Sequence, residues 1–444
     1  MEYPSFYVGG GSLLRYCSKI VVVVLLLLAW PVLAISSEAL AGGLKIGDEM
    51  VVASDGPGGK LRSLPAVAYG DGICLVVWQE GWHGDQGNSR IYAARVGLDG
   101  KVLDPGGVEI APCKTGVQEN PRVAFIDGVF LVVWQDLRNG KDCDVLGARV
   151  SLGGKVLDPA PIPIGIGPRT QAMPDVAADD EGFLVVWHGF QTRDAVAKIF
   201  AARIGRAGPA GKPLVIASGA TPRIAWNGEE HLLVFSTVHP YDVGAEQRKT
   251  WLRLDMAAKP QSKPGFMWGN SYYSVTAMPE KKGWLMVCPG GPPNFWGRTL
   301  GIQEVFLITP EGKLAADSPS VSRYIPKDKK NKANWLDTSL GKKGVWPWDG
   351  SAVAKAGPYN VVVWQRYQIG GSTGIALSNG DIRAGRVDGW KTLDESGGVA
   401  VSASPADELN PALAGNNEGR LLCVYEKRLE DGARQICART IETK

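Results

Sequence analysis

Histidine is scarce in this chain of 444 residues, with four copies, and none of its seven cysteines stands in a Cys-x-x-Cys pair. The missing pair excludes a zinc ribbon. There is no His-Glu-x-x-His and no glycine-rich phosphate loop leading into a helix, so the corresponding zinc peptidase and P-loop chemistries are excluded as well. Helical periodicity is absent. Charge of one sign is not in excess either: 48 Lys and Arg face 45 Asp and Glu, and the positive residues are scattered. A protein that tracks phosphates should show a basic stripe, so nucleic acid is not an expected partner. The four lysines within 327–332 read as a solvated loop.

One long apolar run is present, at 20–28, preceded by Arg15 and Lys19 and followed at a distance by Ala39-Leu40-Ala41. The pattern predicts a signal peptide over 1–41, cleaved after Ala41, with Ala34 as the alternative site. The run is shorter than the roughly 20 residues a spanning helix needs. No membrane insertion is therefore expected after cleavage, an uncleaved anchor being the competing reading. The expected location is secreted, periplasmic or in the cell envelope.

What the chain does contain is a sevenfold repeat over 64–440. A Pro-x-Val-Ala-like strand is followed by a turn, a continuous apolar strand ending in an aromatic, a polar loop and an Ala-Arg-Val-like strand. The clearest copies are Pro65-Ala66-Val67-Ala68 with Leu75-Val76-Val77-Trp78, Pro121-Arg122-Val123-Ala124 with Leu131-Val132-Val133-Trp134, and Pro174-Asp175-Val176-Ala177 with Leu184-Val185-Val186-Trp187. Further strand ends fall at Phe235, Cys288, Trp364 and Tyr425. The spacing of roughly 50 to 75 residues suits four-stranded propeller blades. An uninterrupted apolar strand is expected where neighbouring blades cover both faces. The fold predicted is all-β, a seven-bladed β-propeller of four-stranded antiparallel blades over 42–444, with an insertion at about 324–350 before the sixth unit. Outer strands are expected at 107–112, 161–166, 213–218 and 398–402. The seventh unit lacks one, and 47–54 resembles 107–112, so this N-terminal strand is predicted to complete the last blade and close the ring.

The string Leu131-Val132-Val133-Trp134-Gln135-Asp136-Leu137-Arg138-Asn139-Gly140, with Gly147-Ala148-Arg149-Val150, resembles a repeat of exported bacterial propeller proteins of mostly uncharacterised function. The resemblance covers nearly all of 42–444. It implies a secreted propeller and brings no activity with it.

Residues that recur in most copies are assigned to folding: Arg95, Arg149, Arg203, Arg253, Arg386 and Arg439 on the third strands, and Gln79, Gln135 and Gln365 after the strand-ending Trp. Function is sought where the copies disagree, in the loops 80–90, 136–144, 188–198, 237–249, 289–303 and 366–381, which a propeller gathers on one face. His188 stands where other units have glutamine and is the leading candidate. If the protein is an enzyme, the catalytic candidates are His188, His83, His239, Asp136 and Asp242, at the channel mouth of a polysaccharide-active hydrolase or lyase. If it only binds, Trp82, His188, Tyr241, Trp296, Arg298, Trp346 and Trp348 are the ligand candidates, since aromatic faces beside polar groups suit sugar rings and protein surfaces alike. Asp136, Asp142 and Asp144 miss the spacing of a calcium loop. The leading expectation is a non-catalytic binding or scaffold propeller, monomeric, without metal or cofactor, recognising a carbohydrate or a protein. Cys423 and Cys437 would face each other, and could form a disulfide, if Val424 paired with Ile436; packed free thiols are the other reading. Cys113 and Cys143 are a second possible pair.

Overall fold

The computed structural model describes residues 43–54, 61–82, 88–113, 116–190, 196–205, 208–209, 211–237, 248–268, 274–278, 283–290, 302–315, 335–337, 350–366, 369–370, 375–376, 380–388, 391–394 and 398–444. They form seven sheets of four or five antiparallel strands, plus a small two-stranded ladder. Blade 1 sets the pattern, with Arg62–Gly70 innermost, then Ile73–Trp82, Asn88–Gly97 and the outer Val108–Glu109. Its first hairpin turns on Asp71 and Gly72, both at positive φ (47° and 89°). This is the turn whose twist matches the flanking strands, and Asp-Gly tolerates it at little steric cost.

The apolar second strands are covered on both faces. In blade 1, Cys74, Val76 and Trp78 pack into the core shared with blade 7, while Leu75 and Val77 pack into the core shared with blade 2. Seven such cores, one at each junction of neighbouring blades, run round the ring. The inner strands contact one another in a closed cycle, the last, Asp407–Gly415, meeting the first, Arg62–Gly70.

Closure follows the predicted route. Met50–Ala53 pairs with the last strand, Arg434–Thr443, placing Met50 opposite Ala438 and Val51 opposite Cys437. Leu44–Ile46 extends the pairing to the end of that strand. Val52 and Ala53 are buried in the core between blades 7 and 1. Glu49 ties the segment down: Tyr425 Oη (2.6 Å) and Lys427 Nζ (2.7 Å) donate to its carboxylate, with Arg439 3.8 Å away.

The expected outer strands are present as Val108–Glu109, Ile162–Gly165, Leu214–Ser218 and Val399–Ser402. Part of the stretch read as an insertion belongs to a blade. Trp335–Asp337 pairs with Ile302–Ile308 as the outer strand of blade 5. The last hairpin is offset by two residues from the register that would bring its cysteines together. Cys423 stands opposite Arg439 and Cys437 opposite Tyr425, and both thiols are free and buried. Cys113 and Cys143 are free and partly exposed.

The recurrent arginines hold the framework. Arg95 grips Asp104 through Nε and Nη2, at 2.8 Å each, and donates to the Leu152 carbonyl of blade 2 at 3.3 Å. Arg149 with Asp158 and Arg386 with Asp394 repeat the fork. Arg253 instead takes Glu230 (2.8 Å) and the Pro310 carbonyl of blade 5 (2.7 Å).

Candidate functional site at the loop face

The loop face is built where second strands end and inner strands begin. Proline at 65, 121, 174, 222 and 411 has no N–H to give to a ladder, and in each case the register slips at that point. The residue before each proline takes a left-handed conformation: Leu64, Asn120, Met173, Thr221 and Asn410 have φ between 50° and 54°. Such a bulge turns an amide N–H out of the sheet, and buried N–H groups need acceptors. The preceding blade supplies one, from the side chain that follows its strand-ending aromatic. Gln135 Oε1 accepts from Met173 N (3.2 Å), Gln365 Oε1 from Asn410 N (3.0 Å) and Glu426 Oε1 from Leu64 N (2.7 Å).

His188 occupies this position in blade 3, and its Nδ1 accepts from Thr221 N at 3.3 Å. Its ring is buried, with Phe190 edge-on at 6.1 Å. The candidate that departs from the repeat in chemistry therefore keeps the repeat's contact. Gln79 differs, its amide donating to the Gly81 carbonyl at 3.2 Å.

Asp136 is likewise engaged. Trp134 Nε1 donates to it at 2.8 Å, and Arg138 donates through its amide, Nε and Nη2 at 2.7–2.9 Å. The carboxylate is 1% exposed. Asp144, which faces it across the hairpin, accepts from Asn139 Nδ2 (3.0 Å) and Gly167 N (3.3 Å). Burial and the neighbouring carboxylates push Asp144 up from the usual range, against these two bonds. Glu80 pairs with Arg62 at 2.9 Å, both buried. His188 and Asp136 lie at corresponding ends of adjacent blades, each held by its own framework bonds.

The other candidates are not brought together within the described residues. Trp82 closes the strand Ile73–Trp82, opposite Asn88, and its side chain lies outside them. His83, His239, Tyr241, Asp242, Trp296, Arg298, Trp346 and Trp348 also lie outside them. Among the described residues no group of three or more His, Cys, Asp or Glu could hold a metal ion. The string Gly370-Gly371-Ser372-Thr373-Gly374 has the spelling of a hydrolase nucleophile elbow, but it joins the strands Ile369–Gly370 and Ile375–Ala376. An elbow would lead from a strand into a helix.

The fourth histidine, His231, is away from these loops. Its Nε2 lies 2.7 Å from Asp179 Oδ2, and both side chains are fully buried. Arg203 holds the same carboxylate through both terminal nitrogens. This charged junction of blades 3 and 4 had no signal in the repeat, because Asp179 and His231 sit 52 residues apart in neighbouring hairpins.

Among the described residues a groove opens between the outer strand of blade 3 and blade 4. It measures about 750 Å³, and its lining includes Ser218, Phe235, Arg248, Thr250, Pro264 and Phe266. Arg248 lies over the Phe266 ring, 5.4 Å from its centre, and that ring is 57% exposed. Sequence comparison of the units left it unseen, although Phe235 where four other units have Trp was a visible mark.

No family model matches the chain, and no curated protein matches it either. Solved structures do. A protein of unknown function from Dyadobacter fermentans is similar with a TM-score of 0.50 and 10% identity, over 90% of this chain and 100% of that one. At that identity the likeness is one of fold. The parainfluenza virus 5 hemagglutinin-neuraminidase ectodomain gives 0.49 and 8%, over 91% and 86% of the two chains. The endosialidase of phage phi92 gives 0.46 and 9%, over 90% and 69%.

Proposed function

We propose that the chain is an exported, non-catalytic binding propeller whose loop face recognises a carbohydrate or a protein. The observation that carries this reading is what the polar side chains beneath that face do. Asp136 fixes the Trp134 indole and Arg138, while Gln135, His188, Gln365 and Glu426 hold the next blade's bulge. Among the described residues, Asp136, His188 and Glu426, which could in principle do acid–base work, are thus engaged in holding the ring together. A catalytic base needs reach to a reacting proton, and buried groups saturated by framework bonds lack it.

A ring tied together in this way carries dissimilar loops on a common framework, an arrangement suited to recognition. The loops hold Trp82, Tyr241, Trp296 and Arg298, and the stretch before the sixth unit adds Trp346 and Trp348. Tryptophan offers a large apolar face and one donor, which fits the apolar C–H faces of sugars and the centres of protein interfaces.

The test is a glycan-array screen of residues 42–444, with every bound glycan then assayed for turnover. Binding without turnover is expected, lost in Trp296→Ala or Trp348→Ala proteins that keep the parent's circular dichroism. Turnover of a bound glycan would replace this reading by the hydrolase or lyase one, with Asp242 and His83 or His239 as the residues to replace next. An array without hits, followed by capture of a protein ligand, would leave binding and remove the sugar.

A further inference from the structure

In each blade one inner-strand residue stands opposite the valine that precedes the strand-ending residue, and these positions form one level around the channel. Blades 1, 6 and 7 have Ala66, Ala352 and Ala412 there, and blade 5 has Ser274. Blades 2, 3 and 4 instead have Arg122, Asp175 and Arg223. Each of these three directly follows its bulge proline, so the charges form an arc near the loop-face end of the channel. Two residues on, Ala124, Ala177 and Ala225 pack into the core shared with the following blade, and strand alternation turns the charged side chains the same way.

The fold does not require charge at this level, since alanine fills it in three blades. Asp175 is engaged: its Oδ2 accepts from Ile224 N of blade 4 at 2.9 Å, and its Oδ1 lies 3.8 Å from Arg122 Nε, past hydrogen-bonding reach. The Arg122 guanidinium donates no hydrogen bond among the described residues, and none of its nitrogens is shut off from accessible space; the side chain is 30% exposed. Arg223 gives Nη1 to the Pro222 carbonyl (3.0 Å) and keeps Nε and Nη2 accessible. Arg122 meets water but is walled in by neighbouring blades. Burial and the Arg223 charge pull its pKa down to about 10, with Asp175 offsetting part of this. It stays cationic at neutral pH, so two positive charges share one carboxylate at an enclosed place. A charge short of partners in such surroundings is unfavourable, and an anion would remove the loss.

We infer that the loop-face end of the channel binds an oxyanion, a carboxylate or sulfate group, on the guanidiniums of Arg122 and Arg223. A guanidinium edge presents parallel N–H groups that match two oxygens of such a group. The excess of positive charge repels a cation, and an apolar ligand would leave the donors unpaired. Two sources share this chemistry: a free inorganic anion, and the acidic group of a larger ligand reaching in from the loop face. The inference goes beyond the loop-face reading, because the arginines hold a free anion even where the loops recognise nothing.

The test titrates the full chain with sodium sulfate and with sodium glucuronate at constant ionic strength, read by calorimetry. Saturable 1:1 binding of at least one of them is expected, weakened about tenfold or more in Arg122→Gln and in Arg223→Gln. Tighter binding of glucuronate, with the same dependence on the arginines, assigns the site to the acidic group of a larger ligand; tighter binding of sulfate assigns it to a free anion. Asp175→Asn keeps an oxygen for Ile224 N but removes the competing negative charge, and should tighten binding about threefold or more. A trio that served the framework alone would give no such gain, and this variant holds the test open if the arginine variants do not fold. Absence of saturable binding by either anion, undiminished binding in folded arginine variants, or unchanged or weaker binding in Asp175→Asn would overturn the inference.

Discussion

Ring closure rests on Glu49, and its replacement by alanine should loosen one seam. The carboxylate accepts from Tyr425 Oη at 2.6 Å and Lys427 Nζ at 2.7 Å, with Arg439 at 3.8 Å. Hydrogen bonds to a charged group are worth about 1.5–3 kcal/mol each; two of them, discounted for a side chain 21% exposed and for non-additivity, come to about 3 kcal/mol. Burial pushes the Glu49 carboxyl up, but the Lys427 and Tyr425 bonds and the Lys427 and Arg439 charges together hold it below the usual range. A lowered carboxyl contributes stability that is fully present above the unfolded pKa near 4.5 and is lost as pH falls through the folded value. Hydrogen exchange read on 44–53 and 434–443 is the assay. Glu49→Ala should cut protection there about 100-fold, since about 1.4 kcal/mol is a factor of ten. Glu49→Gln should fall between, and the parent should lose protection at the same seam progressively as pH falls below about 4.5. Unchanged protection in Glu49→Ala would refute the closure argument, and an equal loss in every blade would refute its locality.

Two other perturbations have definite outcomes. Asp179→Asn should cost about 3–5 kcal/mol in urea unfolding, because it leaves Arg203 and His231 at a buried junction without their carboxylate. Burial raises Asp179, but the Arg203 and His231 bonds hold it well below the carboxylate range, so the parent's advantage should shrink as pH falls far below 4; a constant difference would contradict this. Alkylation of the native protein read by mass spectrometry should label Cys113 and Cys143 before the buried Cys74, Cys288, Cys423 and Cys437. Burial pushes Cys74 and Cys437 up to about 12, whereas Cys143 reaches about 11; early labelling of Cys423 or Cys437 would sink the packed-thiol account.

The ring was legible in the chain because its cause is local. Leu75-Val76-Val77-Trp78 is apolar at every position since both faces of that strand are covered, and 47–54 could be placed because it looks like the strand that blade 7 lacks. Contacts between blades were less legible. Gln135, His188 and Glu426 share a task although their chemistry differs, and this shows only once the pre-proline bulge of the next blade is seen to present its amide. The final hairpin slipped by two residues from the register that would have joined its cysteines, since both registers bury the same face. The groove at Thr250 escaped notice because a cross-strand partner is fixed by register and not by repeat position alone.

The central claim is that recurring polar positions hold the ring together, while function belongs to places where the repeat breaks. His188 tests it most directly, through the urea midpoints of His188→Gln and His188→Ala measured side by side. Glutamine performs the same contact in blades 2 and 6, so the midpoint of His188→Gln should match the parent's. His188→Ala strands the Thr221 amide and should lose about 1–3 kcal/mol. Equal losses in both variants, or none in either, would contradict the account.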